Sequence, residues 1–200
     1  MVKSRRQCVG DRIQFRSKDN MEFLHECEVT SIQNRSIELQ VIASKKELVA
    51  PVKSLHIGWC IIDSKSIEKV LPSLTEIGVS RISFIGCERS QKNFKLDLKR
   101  FNRIIESSMQ QCGRSTYIEF GTYKNIQEFI EEYPQTKVLD FTEKTLDAYE
   151  EVSTVLIGCE GGFSQSERVF LETQDIFRLA TPMVLRSESA VMAVASKILL

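Results

Sequence analysis

From Leu55 onward the chain alternates short apolar runs with segments of helical period, and few folds accept that pattern. LHIGWCII (55–62), RISFIG (81–86), YIEF (117–120), KVLDF (137–141) and TVLIG (154–158) have the length and composition of buried strands. Between the first two, Ile67, Val70, Leu71, Leu74 and Ile77 recur at helical spacing, with Ser64 as the expected cap and Gly78 as the stop. Pro72 falls inside that helix and is expected to kink it. A second helix is expected over 97–112, with Leu98, Phe101, Ile104, Ile105 and Met109 inward and Gly113 as its end. A short helix follows at 126–132, and a last one runs from Glu188 to Leu199. Strands alternating with helices imply an α/β fold with a parallel sheet covered on both faces.

Residues 11–43 have a different rhythm. Ile13 and Phe15 alternate with charged residues, Lys18-Asp19-Asn20 marks a turn, and Cys27 and Val29 continue the alternation. After a turn at Asn34-Arg35, Ile37, Leu39 and Val41 form a third strand. Three strands make a poor core alone and need more strands or a larger domain. Ser44–Ser54, with two lysines and Pro51, reads as a linker. The expected organisation is a small β domain over 1–50 and an α/β domain over 55–200.

Two stretches near the end carry the chemistry. In EVSTVLIGCEGGFSQSE (151–167) an apolar strand stops at Gly158, and Gly158, Gly161 and Gly162 allow a sharp turn and close approach to a ligand. Ser164 and Glu167 have capping-box spacing, so a helix is expected from Gln165. Strand, glycine loop and helix form the layout in which α/β sheets place ligands. VLRSESA (184–190) is read as a second loop of the same pocket.

IGCEGGFSQSE resembles the IGPEGGFS-x-x-E signature of SPOUT-class methyltransferases that modify N3 of a uridine in 16S ribosomal RNA, and LRSESA resembles that family's LR-T-E-T-A motif. EIGVSRI (76–82), ERS (88–90) and QQCGR (110–114) extend the resemblance over nearly the whole chain from Leu55. The resemblance implies a trefoil-knotted SPOUT domain with helices on both faces, after a small PUA-like β-barrel that binds RNA. That barrel begins upstream of the positions matching Arg6–Asp11, so an N-terminally short barrel is expected. It also implies S-adenosylmethionine as cofactor, a homodimer, and 16S ribosomal RNA within the small subunit as partner. By the same resemblance Leu156, Gly158, Glu160, Gly161, Gly162, Leu179, Met183, Leu185 and Ser187 belong to the cofactor pocket. Arg186 is the first choice for stabilising the uridine or its phosphate. Glu188 is either a base or a carboxylate favouring a helix N-terminus. Arg89 and Arg114 match positions facing the same cleft. Cys159 stands where proline is usual, and Ala180 where glycine is. A tRNA or another ribosomal site, or a non-catalytic binding role, remains open within the same fold.

Net charge is zero, yet the charge is not spread evenly. Lys3, Arg5, Arg6, Arg12, Arg16 and Lys18 face one acid, Asp11, in residues 1–18. Residues 89–114 hold Arg89, Lys92, Lys95, Lys99, Arg100, Arg103 and Arg114 against Asp97 and Glu106. Arg5, Arg6, Arg12, Lys99, Arg100 and Arg103 are therefore the candidate phosphate contacts. Six cysteines lack CxxC spacing, so no zinc pattern exists, and reduced thiols in a cytoplasmic protein are expected. No apolar run approaches the ~20 residues of a membrane span. His25 and His56 are read as structural or exposed, and Trp59 as core.

Overall fold

The computed structural model describes residues 7–34, 36–90, 95–146 and 151–200. The chain divides into two compact units: Met1–Ala50 with Arg114–Thr116, and Pro51–Gly113 with Tyr117–Leu200.

In the first unit, β1 (Arg12–Ser17), β2 (Asn20–Ile32) and β3 (Ile37–Lys46) form an antiparallel sheet in that order. Lys18 and Asp19 make the first turn, as their turn chemistry predicts. Cys27 and Val29 are buried, whereas Val41 is 56% exposed. The strand β3 continues to Lys46, so the stretch expected as a linker begins inside a strand. Arg16, counted from sequence among the free cations, is turned into the sheet, donating to the carbonyls of Met21 and Glu47 at 3.0 and 2.6 Å.

The second unit is built on a parallel sheet of order β6-β5-β4-β8-β7-β9. Its strands are β4 (His56–Cys60), β5 (Arg81–Ile85), β6 (Glu119–Tyr123), β7 (Lys137–Leu139), β8 (Thr154–Ile157) and β9 (Asp175–Phe177). The central β4 is buried throughout. Helices α1 (Ser64–Ile77), α2 (Leu98–Cys112), α3 (Ile126–Glu132), α4 (Gln165–Leu171) and α5 (Ser187–Leu199) connect the strands or close the chain.

Side-chain alternation along β4 separates two packing layers. Trp59 and Phe84 meet Phe101 of α2 and Phe120 of β6, with neighbouring ring centroids 5.6–6.3 Å apart. The opposite face receives Phe129 of α3, which rests on bare backbone. A Cβ on Gly58 would lie 2.5 Å from the Phe129 ring, so glycine is required there. α5 packs against α1 and β8.

Two expectations are corrected. The α1 cap is Asp63, whose carboxylate accepts the Ser66 N–H at 3.0 Å; Ser64 is already the first helical residue. Strand β9 was missed, because DIF is too short and half-charged to stand out beside the longer apolar runs. Pro72 lies within α1, and the helix continues through it to Gly78, which takes the left-handed conformation at φ 108°.

Candidate cofactor site

A cavity of about 540 Å³ opens at the carboxyl ends of the strands. Its walls come from three segments that follow β7, β8 and β9. Leu139, Asp140 and Phe141 form the first, the stretch from Ile157 to Phe163 the second, and Arg178 to Leu185 most of the third. Arg89 enters from beyond β5, Arg168 from α4, and Ser187 and Ala190 from α5. Size and apolar character suit an organic ligand with a few directed polar contacts.

Local chemistry sets each wall. Beyond β8 the Gly162 N–H donates back to the Cys159 carbonyl at 2.9 Å, closing a turn. Gly162 has φ 66°, the left-handed value that favours glycine. Gly158 and Gly161 have ordinary φ, and their smallness serves close approach instead: a Cβ on Gly161 would sit 3.3 Å from the Cβ of Arg89. The expected capping box is present. Ser164 N–H donates to Glu167 Oε2 at 2.8 Å, and Glu167 N–H donates to Ser164 Oγ at 3.2 Å. Glu167 also accepts the Glu88 N–H at 2.8 Å, and Ser166 donates to the Glu88 carboxylate at 2.6 Å. Those serine contacts hold the Glu88 carboxyl below its ordinary range. Arg89 then reaches the Gly161 carbonyl at 2.7 Å. The ERS stretch and the glycine loop are thus one assembly.

Ser187 joins the second loop to the first. Its hydroxyl accepts the indole N–H of Trp59 at 2.8 Å and donates to the Gly158 carbonyl at 2.6 Å. Trp59, read from sequence as core, is core and also aims this hydroxyl. On the other side, Thr181 N–H donates to the Leu179 carbonyl at 2.8 Å, and Met183 N–H to Thr181 Oγ1 at 3.1 Å. Met183 and Val184 stay exposed at 70% and 79%, presenting apolar surface at the cavity mouth.

The structure brings Gly158, Glu160, Gly161, Gly162, Leu179, Met183, Leu185, Ser187 and Arg89 to the cavity. Leu156 is fully buried in β8 and does not line it; Ile157 does, since neighbouring strand residues face opposite ways. Arg186 is exposed at the N-cap of α5, and Glu188 lies in its first turn; neither lines the cavity. One Glu188 oxygen, Oε2, is buried and meets no hydrogen-bond partner among the described residues. Arg114 belongs to the first unit, is buried, and donates through Nε to Thr116 Oγ1 at 3.2 Å. Arg12 is exposed and pairs with Glu26 at 3.4 Å. On α2, Lys99 and Arg103 are exposed, whereas Arg100 pairs with Glu68 at 2.6 Å. Lys3, Arg5, Arg6 and Lys92 lie outside the described residues.

Sequence reading missed Asp140, Phe141, Arg168 and Arg178. Arg168 pairs with Asp140 at 3.1 Å and lies over the Phe141 ring, 5.9 Å from its centroid. The signal for these is weak: KVLDF ends in two residues that a buried strand alone does not need, and Arg178 follows β9, the strand that sequence reading missed.

A parallel sheet with three loops walling one cavity at its carboxyl edge is the layout in which α/β folds hold an organic ligand. The family model described as RNA methyltransferase domain matches residues 49–199, and the chain belongs to that family. A protein of Helicobacter pylori strain 26695, the ribosomal RNA small subunit methyltransferase E, is 38% identical over 201 residues, covering 98% of this chain and 88% of that one. The protein of the same name from Aquifex aeolicus is 28% identical, covering 86% and 80%. Among solved structures, the ribosomal RNA small subunit methyltransferase E of Neisseria gonorrhoeae bound to S-adenosyl methionine superposes with a TM-score of 0.81 at 18% identity, covering 98% of this chain and 85% of that one. A Legionella pneumophila structure with bound SAM gives 0.82 at 20% identity, covering 98% and 86%.

Proposed function

We propose that this enzyme transfers a methyl group from S-adenosylmethionine to N3 of a uridine in 16S ribosomal RNA, acting on the small subunit as a homodimer. The observation that carries the reading is the stitched cavity: Ser187 ties the α5 entry to the Gly158 loop, Arg89 ties the ERS loop to Gly161, and the space between is ligand-sized. The names of the relatives agree with it, as does the cofactor bound in two structures of the same fold.

The fit to the cofactor is chemical. Leu179, Leu185 and Ala190 offer apolar wall for a purine, while Gly158, Gly161 and Gly162 leave backbone groups open to its polar edge. Glu160, Met183 and Ser187 complete the set, and Leu156 supports it from inside β8. When bound, S-adenosylmethionine supplies a methyl carbon activated by sulfonium. The chain then has to orient the acceptor and deal with its N3 proton. Arg186, exposed beside the cavity loop, is assigned to the charge that develops on the base. Glu188, in the first turn of α5, is assigned to the proton, with Arg89 as a further cation of the cavity. Arg12, Lys99 and Arg103 have exposed heads for phosphate. Arg5 and Arg6 continue that run, and Arg100 contributes only if it leaves Glu68.

Dimerisation is supported by α5. Ala190, Val191, Val194, Ala195 and Ile198 are buried, yet Met192, Ala193 and Leu199 remain partly open on the same helix. The solitary Glu188 oxygen is a second reason, since a partner surface would supply its donor.

The test is methylation of small subunits from a strain lacking the activity, with the product mapped by mass spectrometry. A methyl on uridine N3 is expected. Arg186→Ala should keep S-adenosylmethionine affinity and lose about 100-fold or more in turnover. Methyl on tRNA, on a ribose oxygen or on no RNA overturns the assignment.

A further inference from the structure

Phe141 is the one exposed aromatic ring among the described residues, 70% exposed at the mouth of the cavity. A single exposed apolar side chain is ordinary and carries no meaning by itself. This one is mounted. It follows β7 by two residues, and the backbone is fastened on either side of it. The Asp140 N–H donates to the Phe177 carbonyl at 3.1 Å, and the Arg178 N–H donates to the Lys144 carbonyl at 2.8 Å. Phe141 therefore opens a short loop tied to β9 at both ends. The ring is held as well. The Arg168 guanidinium lies over it, 5.9 Å from its centroid, and the Asp140 carboxylate fixes that guanidinium at 3.1 Å.

We propose that Phe141 is the stacking platform for a nucleobase of the RNA substrate and so positions the acceptor at the cavity mouth. That the base belongs to the substrate RNA rests on the function proposed above; the mounted ring does not.

Three observations point to a base. The first is the chemistry of the ring. Every nucleobase has a π-face, and proteins hold unpaired bases on aromatic rings with arginine beside them. Arg168 occupies one face of Phe141, and the exposure of the residue leaves the other side open.

The second is charge. The cavity lining holds Arg89, Arg168 and Arg178 against Asp140 and Glu160, a balance that suits a strand of phosphates passing its mouth.

The third is depth. The purine of the cofactor has its own apolar wall in Leu179, Leu185 and Ala190. Phe141 instead stands at the rim, as do Met183 and Val184 on the wall beyond β9, exposed at 70% and 79%. A base drawn out of its strand loses its stacked neighbours, and an aromatic platform at the rim replaces one of them. Because the ring and its backbone are already fixed, little order has to be gained when the base arrives.

The experiment compares the full parent chain with Phe141→Leu and Phe141→Trp. Leucine keeps the apolar bulk and removes the π-face, whereas tryptophan keeps both. Each protein is assayed for methylation of small subunits from a strain lacking the activity, and for S-adenosylmethionine affinity by calorimetry. Phe141→Leu should lose about tenfold or more in kcat/KM for subunits, the usual worth of one stacked base, with cofactor affinity unchanged. Phe141→Trp should retain the parent's activity. It is also a reporter, since Trp59 is the chain's only natural tryptophan and is fully buried. A short oligouridylate should quench its emission.

A Phe141→Leu protein as active as the parent overturns the platform, as does a Phe141→Trp protein as poor as Phe141→Leu. So does an emission that millimolar oligouridylate leaves unchanged. If Phe141→Leu loses cofactor affinity while its KM for subunits stays the same, the ring belongs to the purine pocket and the assignment to RNA is overturned. Quenching by oligouridylate in a protein that methylates no RNA counts against the proposed reaction and upholds the platform.

Discussion

Ser187 carries more of the site than its size suggests. One hydroxyl serves a buried indole N–H and a loop carbonyl. Ser187→Ala leaves the Trp59 N–H buried without a partner, a cost of about 1–3 kcal/mol. The thermal midpoint should fall by several degrees, measured by calorimetry, and cofactor affinity should fall with it. Adding Trp59→Phe removes the stranded donor, so the pair should cost less than the sum of the two single changes. Full additivity would mean that the two side chains act independently.

At the level of elements, the start of α1 separates two similar side chains. Asp63 holds the cap, and Ser64 next to it does not. Asp63→Ala should lose about 1 kcal/mol in chemical denaturation, and Ser64→Ala much less. The sequence reading placed the cap on Ser64, because residue type does not separate a serine from the aspartate before it. Helix ends marked by glycine were legible because Gly78 and Gly113 both take positive φ, which few other residues tolerate. The capping box at Ser164 was equally plain, since both its residues and their spacing are specific. Strand β9 and the Arg168–Asp140 pair were not legible. A three-residue edge strand has no period to detect, and an ion pair between residues 28 apart depends on how strands are ordered. The cofactor loops could be read because glycines and their neighbours act locally. The arginines reach their places through the whole fold, and spacing says nothing about that.

For the whole molecule, stability carries a pH signature. His56 is buried between Phe129 and Tyr133, bonds Ser83 at 2.8 Å, and is faced by Arg81 and Glu132. Burial, then the Arg81 charge, lowers its pKa from 6.5 to about 4. Between those values the unfolded chain binds a proton that the folded chain refuses. Stability from this group is therefore complete above pH 6.5 and drains away as the pH falls towards 4. A His56→Gln variant, compared with the parent by thermal melts across that window, should show a shallower slope; equal slopes would remove His56 as the cause. The order of the cavity walls has a different consequence, one that concerns synthesis. Apart from Arg89, every lining residue lies at or beyond Leu139. The strands β4, β5 and β6 are complete well before then, and the stitch made by Ser187 comes after every strand of the sheet. A chain interrupted short of that serine has most of its sheet and no finished cavity, so ligand binding distinguishes completed copies from abandoned ones.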